Sequence, residues 1–504
     1  MSYAKFEAEI ARVNDLLSAV NLLSWDAQTQ MPPGGVVTRG NQVSTLPAMA
    51  RDLATGDTLK AAIANARDEI RGSADDLRQR ALDQAEAEIN VLARVPAALV
   101  AETAELKTIA QPAWADARAK NDYAAYVAIL ERVFAIKRQV AEAIGYEEHP
   151  YDSMLGLYEP GMTLRHLLGV LDPLNAALKP LIDKALSVPA PRTDFLSRNY
   201  PIAAQKAFGL RIAEKFGYDL KRGRLDDTVH PFEISFTRND VRITSRFREN
   251  WLPGGFFALW HEAGHGMYEQ NVAPEFTRTI FATDIVNLYA VGGTSFGAHE
   301  SQSRLWENRV GRSRRFWELH FGELRDAFPE QLADVTAEEF WRSVNAIRPN
   351  FIRVEADELT YDFHIVLRVE IEAALMDGTL KVKDLPGVWN EKMKAYLGLD
   401  VPNDTLGVLQ DVHWSHGYVG SFPTYTIGNI MSAQFYETAI KVAAVEKGLS
   451  AGNYAPLKTW LADNIHRYGR ASSPNETLRR VTGGPLDASA YIRVLGDKVA
   501  ALVG

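Results

Sequence analysis

Apolar residues recur at helical spacing from the start of the chain. Phe6, Ile10, Val13, Leu16, Leu17 and Val20 share one face and predict a helix over 3–23. It closes in 24–35, where Pro32-Pro33-Gly34-Gly35 stops any helix. Helical patterns dominate 40–145. Two of them, 83–106 and 123–144, are rich in Ala, Glu, Leu and Arg, and Ala110-Gln111-Pro112 reads as the break between them. Further helical patterns fall near 164–187 and at 202–217, 313–328, 337–347, 351–376 and 426–446. The run 351–376 starts with Arg353, Glu355 and Asp357 and continues its apolar face through Tyr361, Ile365 and Val369. Residues 400–425 are instead rich in Gly and aromatic side chains. Only 230–248 alternates apolar and polar: 230–236 and 241–244 read as two strands joined at Thr237-Arg238-Asn239-Asp240. No repeat, low-complexity tract or long linker interrupts these elements. The expectation is a mostly α protein, one large helical domain over 1–504 with one small β-sheet or hairpin.

The most informative stretch is 251–270, WLPGGFFALWHEAGHGMYEQ, where Pro253, Gly254 and Gly255 suit a helix start. His261 and His265 stand four residues apart, so on a helix both imidazoles can reach one metal ion. Glu262 beside them could accept a proton from a water that the metal activates. A chance HExxH is the competing explanation, but two His and a Glu in an apolar helix would be costly without a partner. A peptidase zinc site wants a third protein ligand. Glu300, in His299-Glu300-Ser301-Gln302, can open the next helix, through Leu305 and Val310, and approach from the open side. Glu269, four residues past His265, would need the helix face to curve round the metal. Glu300 is therefore the favoured ligand, with His299 a neighbour that could orient the others. Four residues past Glu300 stands Arg304, not an acid, so a carboxylate to orient the ligand imidazoles must come from elsewhere.

Other candidates are weaker alone. Arg353 could bind a substrate's free carboxylate through its planar fork, or form an ordinary ion pair with Asp357 or Glu358. The segment 407–418 holds Gln410, Asp411, His413, His416 and Tyr418, and could supply hydrogen bonds to a tetrahedral intermediate or simply pack. The hairpin before the metal helix could pair with an extended substrate or serve only as a cover.

Composition narrows the class. The 504 residues are 46% hydrophobic and 24% charged, an ordinary globular balance with ample core. There is no Cys, which excludes disulfides, thiolate zinc sites and a Cys nucleophile. A net charge of -9 argues against a general nucleic-acid binder. The N-terminus carries charges throughout, without an apolar signal core, and no apolar run is long enough to span a membrane, so a cytoplasmic location is expected.

Taken together the motifs resemble the thermostable carboxypeptidases, HExxH metallocarboxypeptidases of the Taq type. The likeness is carried by Trp25-Asp26 through Met31-Pro32-Pro33-Gly34, His230-Pro231-Phe232 and Asp240-Val241-Arg242-Ile243-Thr244. It continues through His261-Glu262-Ala263-Gly264-His265, His299-Glu300-Ser301-Gln302, Ile352-Arg353-Val354-Glu355-Ala356-Asp357 and Gly407 to Trp414, covering nearly the whole chain in the family's order. The resemblance implies a helical single domain with a deep active-site groove between two halves, commonly a homodimer. It implies His261, His265 and Glu300 as metal ligands, Glu262 as general base and Arg353 as carboxylate anchor. His230, His413 and Tyr425 are similar to residues that contact substrate or stabilise the transition state, and Arg242 is a further substrate-binding cation. The stretch between Glu269 and His299 is several residues longer than the family leads one to expect. The implied activity is hydrolysis of the C-terminal peptide bond with broad specificity, using one divalent metal, zinc or else cobalt. An oligopeptidase or dipeptidyl carboxypeptidase on the same site, or a peptide-binding protein without catalysis, is the alternative.

Overall fold

The computed structural model describes residues 2–504. The chain divides into two compact units, each assembled from three segments. The first contains the chain up to 93, 191–344 and 431–485; the second contains 94–190, 345–430 and 486–504.

The first unit is built round the helix Leu252–Gln270, most of whose residues are buried on every side. Phe256, Phe257 and Trp260 interlock with Phe208 and Phe216 of the helix Ile202–Phe216 and with Phe316 and Trp317 of the helix Arg314–Ala327. Ring centroids lie 4.9–6.1 Å apart for Trp260 against Phe256, Phe216, Phe316 and Trp317, the offset and edge-on range that aromatic pairs prefer. Trp260 also donates its indole N–H to the Gly209 carbonyl at 3.0 Å, so its polar end is satisfied. On another face the helix meets Phe296–Arg304 at Gly264. A Cβ there would lie 2.6 Å from both the Gln302 carbonyl oxygen and Ser303 Cα, so only glycine allows this approach.

Three strands flank the same helix in the order β1-β3-β2. β2 (Glu233–Thr237) and β3 (Asp240–Ser245) form the expected antiparallel hairpin, with a bulge between Ser235 and Thr237. β1 (Gly223–Asp227) pairs parallel with β3 and was not expected, because Gly-Arg-Leu-Asp-Asp has no apolar alternation; its buried residue is Asp226. The first helix, Ser2–Thr29, runs past the predicted end at 23, since 24–29 contains no helix breaker before Pro32. Asn21 and Ser18 on it donate to the Ser235 and Phe236 carbonyls at 2.9 Å, which covers the outer edge of β2 there. The hairpin is therefore at least partly a structural cover, and its edge has these two acceptors already taken.

The second unit is a helical array, and two expectations fail in it. Ala110-Gln111-Pro112 does not break the chain: Pro112 lies inside the helix Ala97–Lys120. The breaks come at Pro96, which precedes that helix, and at Asn121, whose left-handed φ of 53° ends it. A mid-helix proline loses one hydrogen bond and costs about 3 kcal/mol; burial of Leu106, Ala110 and Ala117 on either side outweighs it. Nor is 351–376 one helix. Arg353–Glu355 is a single 3₁₀ turn, and the α-helix is Tyr361–Asp377. Asp357 explains the difference: its carboxylate accepts from the backbone N–H groups of Leu359, Thr360 and Arg348, local bonds that compete with continued helix.

Gly264→Ala should destabilise the first unit by about 2–3 kcal/mol or more, because the added methyl meets backbone that cannot move aside. Thermal unfolding of the variant should show a clearly lowered first transition; a midpoint equal to the parent's would mean the two helices can separate at little cost.

Candidate metal centre

His261 and His265 lie one turn apart on Leu252–Gln270, and Glu300 lies in Phe296–Arg304, held against them by the contact at Gly264. Their ligand atoms fall within 4.8 Å of one another. Glu300 Oε2 stands 3.4 Å from His261 Nε2 and 3.2 Å from His265 Nε2. Tetrahedral ligands about 2.1 Å from a zinc-sized ion are about 3.4 Å apart, so the separations of Glu300 from the two imidazoles match those of ligands that share one ion.

The remaining atoms of each candidate ligand are fixed from behind. Glu300 Oε1 accepts from Arg304 Nε at 2.7 Å, which turns Oε2 toward the imidazoles. His261 Nδ1 meets Glu307 Oε2 at 3.0 Å. His265 Nδ1 meets His299 Nδ1, and His299 Nε2 reaches Glu269 Oε1 at 2.9 Å. With a metal on Nε2, His265 Nδ1–H donates to His299, and His299 Nε2–H donates to Glu269. Glu269 also accepts from the N–H groups of Gly292 and Gly293 at 2.8 and 2.9 Å and from the Ser235 hydroxyl at 3.2 Å. It is thus the anchor of the His265–His299 chain and lies outside the ligand cluster. The long stretch 271–298 supplies those two glycine N–H groups.

Electrostatics suit a cation. Glu262, Glu300 and Glu307 face Arg304 and Arg312, which leaves an excess of one negative charge before the imidazoles are counted. Burial pulls the His261 imidazolium down, but Glu300 and Glu307 outweigh it and hold His261 up to about 10. Burial dominates at His265 and lowers it to about 3, so that ring is a neutral donor. Burial works to raise Glu300 as well, yet Arg304 and His261 keep it well below the usual carboxylate range. Glu262 is pushed up to about 7 by burial, with His261 opposing and Glu300 and Glu307 assisting. No protein hydrogen bond takes up the Glu262 carboxylate among the described residues, which leaves it open to a water.

The model of the Carboxypeptidase Taq (M32) metallopeptidases matches residues 5–499. This chain belongs to that family. It is 38% identical over 509 residues to Thermostable carboxypeptidase 1 of Thermus thermophilus, covering 97% of this chain and 96% of that one. It is 34% identical over 498 residues to Carboxypeptidase 1 of Bacillus subtilis, covering 98% and 97%. The crystal structure of the M32 carboxypeptidase from Deinococcus radiodurans superposes with a TM-score of 0.95 at 38% identity, over 100% of this chain and 99% of that one. The M32 protein described here is accordingly a metal-dependent carboxypeptidase. Among the described residues no helix is long and apolar enough to cross a membrane.

A second cluster lies within the second unit. Arg353 is 5% exposed and pairs with Asp411, Nη2 to Oδ1 at 2.8 Å and Nε at 3.2 Å, while Nη1 donates to the Tyr361 hydroxyl at 3.0 Å. The partners expected for an ordinary ion pair are engaged elsewhere, Asp357 with backbone N–H groups and Glu358 with Lys498. Asp411 also binds Arg368, whose side chain is fully buried. His413 Nε2 meets the Tyr425 hydroxyl at 3.2 Å, and the Arg353 guanidinium lies 5.0 Å from the Tyr425 ring centre. Of the remaining expected residues, His230 is exposed in the bend before β2. Arg242 pairs with Asp240 through Nε and Nη2, both at 2.9 Å, and lies over the rings of Trp25 and Phe236 at 4.2 and 4.8 Å. That position makes it a strut of the sheet.

Two residues escaped the reading of the sequence. Glu307 lies in a buried π-helical turn, Leu305–Gly311, that continues the Glu300 helix. Its signal was present: seven residues past Glu300 is two turns along the same face, inside the helix expected through Leu305 and Val310, where only Arg304 was weighed. Arg368 is a charge within the apolar run of Tyr361–Asp377, the pattern of a buried ion pair awaiting its acid.

Glu307→Gln should weaken metal affinity about ten- to a hundred-fold, since an amide no longer holds the His261 Nδ1–H as a carboxylate does. Competition with a chromophoric chelator measures this, and unchanged affinity would make Glu307 a partner of Arg304 and Arg312 only.

Proposed function

We propose that this M32 carboxypeptidase releases single residues from the C-termini of peptides with broad specificity, and that Glu262 is its general base. The observation that carries the second part is a buried, otherwise unbonded Glu262 carboxylate next to three converging ligand atoms. A divalent ion held by His261, His265 and Glu300 supplies Lewis acidity to the scissile carbonyl and to the attacking water. Glu262 accepts the proton of that water as it attacks and delivers it to the leaving amine. Without a metal, burial raises Glu262 to about 7, and a dication beside it would lower it toward the ionised form that a base requires. Two imidazoles and a carboxylate suit zinc, with cobalt the alternative.

Arg353 is proposed as the anchor for the substrate's free carboxylate. Three of its five N–H donors are engaged by Asp411 and Tyr361, which leaves two for a ligand. Two guanidiniums share the one Asp411 carboxylate, so the cluster keeps one net positive charge. Asp411 and Tyr361 fix the fork in place before a ligand arrives. The Tyr425 hydroxyl, oriented by His413 and beside the Arg353 guanidinium, is proposed to contact the substrate with it. His230 and Arg242 are proposed to act on substrate at most indirectly, Arg242 by holding the sheet. A homodimer in the cytoplasm remains the family-based proposal, and sedimentation at several concentrations tests the dimer.

Glu262→Gln should retain stoichiometric metal and lose about 10²- to 10⁴-fold in kcat. Activity within tenfold of the parent would remove Glu262 from the role of base. Mass spectrometry of the products tests the rest: ladders stepped by one residue are expected, and steps of two would mark a dipeptidyl carboxypeptidase.

Arg353→Ala should cost about 2–5 kcal/mol in kcat/KM, roughly thirty- to several-thousand-fold, on free-acid peptides. Amidating the substrate's C-terminus should impair the parent severely and the variant little. Equal sensitivity in both would make Arg353 a structural partner of Asp411, with the anchor elsewhere.

A further inference from the structure

A third charged group in the second unit takes no part in either cluster described above. Lys137, on the helix Val127–Ile144, is partly buried, and among the described residues no carboxylate stands against its ammonium. Its stem lies along Gly417: a Cβ on that glycine would be 3.1 Å from Lys137 Cε and 3.4 Å from Nζ. Gly417, with φ of 71°, closes the 3₁₀ turn His413–His416 and gives the lysine room. Lys107, on Ala97–Lys120, holds its Nζ 5.4 Å from the centre of the Tyr418 ring. The His416 ring centre lies 5.8 Å from the same ring, which is 43% exposed. Two helices and one turn thus bring Lys107 and His416 against an accessible tyrosine and Lys137 against the glycine that precedes it, with no acid among them.

That arrangement is unfavourable as it stands. Burial, and then Lys107, lower Lys137 to about 8, and the same two causes lower His416. A lysine at a protein surface ordinarily extends its ammonium into water or meets an acid; Lys137 does neither and faces another cation. An anion between the two ammonium groups would reverse the penalty. Lysines offer point charges with rotatable donors, the imidazole adds one N–H, and the tyrosine ring forms an apolar wall.

We propose that Lys107, Lys137 and His416 form an oxyanion-binding site that accepts a carboxylate or phosphate group beside Tyr418. None of these residues belongs to the metal centre or to the Arg353 cluster, so the site stands or falls independently of the catalytic assignment. The same chemistry is presented by free inorganic phosphate and by the acidic side chain of a peptide.

The test uses the full-length, metal-loaded protein with its lysines reductively methylated with a ¹³C label, a modification that keeps their charge. Inorganic phosphate is titrated at constant ionic strength, set with sodium chloride. The Lys137 resonance is identified as the signal missing in Lys137→Met. A saturable shift of that resonance is expected, with the midpoint moved about tenfold or more to weaker binding in Lys107→Ala. Lys107 is exposed, so this variant keeps the fold. No saturable shift, or the same midpoint in parent and Lys107→Ala, overturns the proposal. A second arm distinguishes the occupants, using a glutamate peptide blocked at both ends and its glutamine counterpart. A shift with phosphate and with the glutamate but not the glutamine peptide assigns the site to acidic substrate side chains; a shift with phosphate but neither peptide assigns it to a free oxyanion.

Discussion

The helix Leu252–Gln270 is enclosed by aromatic side chains, yet it carries two imidazoles and two carboxylates. Each such group would cost several kcal/mol if buried without a partner. The elements round the helix supply those partners one by one. Glu300 and Glu307 arrive on one helix and its π-helical continuation, His299 from the same helix, Ser235 from β2, and two glycine N–H groups from the stretch 271–298. Among these groups Glu262 alone lacks a hydrogen bond to the described residues, and its carboxylate is left open to a water. The need to satisfy buried polar groups therefore shapes both the architecture of the unit and its reactive position.

The two charged clusters have opposite excesses. Round His261 and His265 three carboxylates meet two guanidiniums, whereas at Asp411 two guanidiniums meet one carboxylate. In neither cluster do carboxylates and guanidiniums balance, although neutral pairing would be the cheaper way to bury such groups. One excess suits a dication and the other an α-carboxylate. A metal-dependent carboxypeptidase binds a metal ion and peptides that end in a carboxylate, and the roles proposed for the two clusters match these two imbalances.

What could be read from the sequence followed from spacing. His261 and His265 share a face by periodicity, and Glu300 lies in the next helix, so the cluster was visible without coordinates. The hairpin was visible because Ile234, Phe236, Val241 and Ile243 alternate with polar residues. β1 was not, since its pairing with β3 rests on backbone bonds and its own residues carry no alternation. Pro112 misled because local propensity was outweighed by packing on both sides of it. Asp411 lies 58 residues beyond Arg353, and no periodicity connects residues that only tertiary folding brings together. Asp357, within one turn of that arginine, looked the better partner until its bonds to backbone N–H groups were seen.

The division of the chain has a consequence for biosynthesis. The metal-bearing unit takes its last segment from 431–485, where His466 meets Gln302 at 2.9 Å and the Arg467 carbonyl accepts from Ala273 N–H. A ribosome has therefore passed residue 430 before that unit can take up its last segment, though both candidate ligand histidines emerged long before. Domains that can fold as they emerge do so from the N-terminus, and this one cannot. In the interval the aromatic surfaces of Ile202–Phe216 and Leu252–Gln270 are available to each other but lack their final cover, such as Tyr454 against Phe216. Nascent chains at this stage are natural clients for chaperones that hold exposed apolar segments, and the dependence comes from connectivity, with no weakness in the finished core.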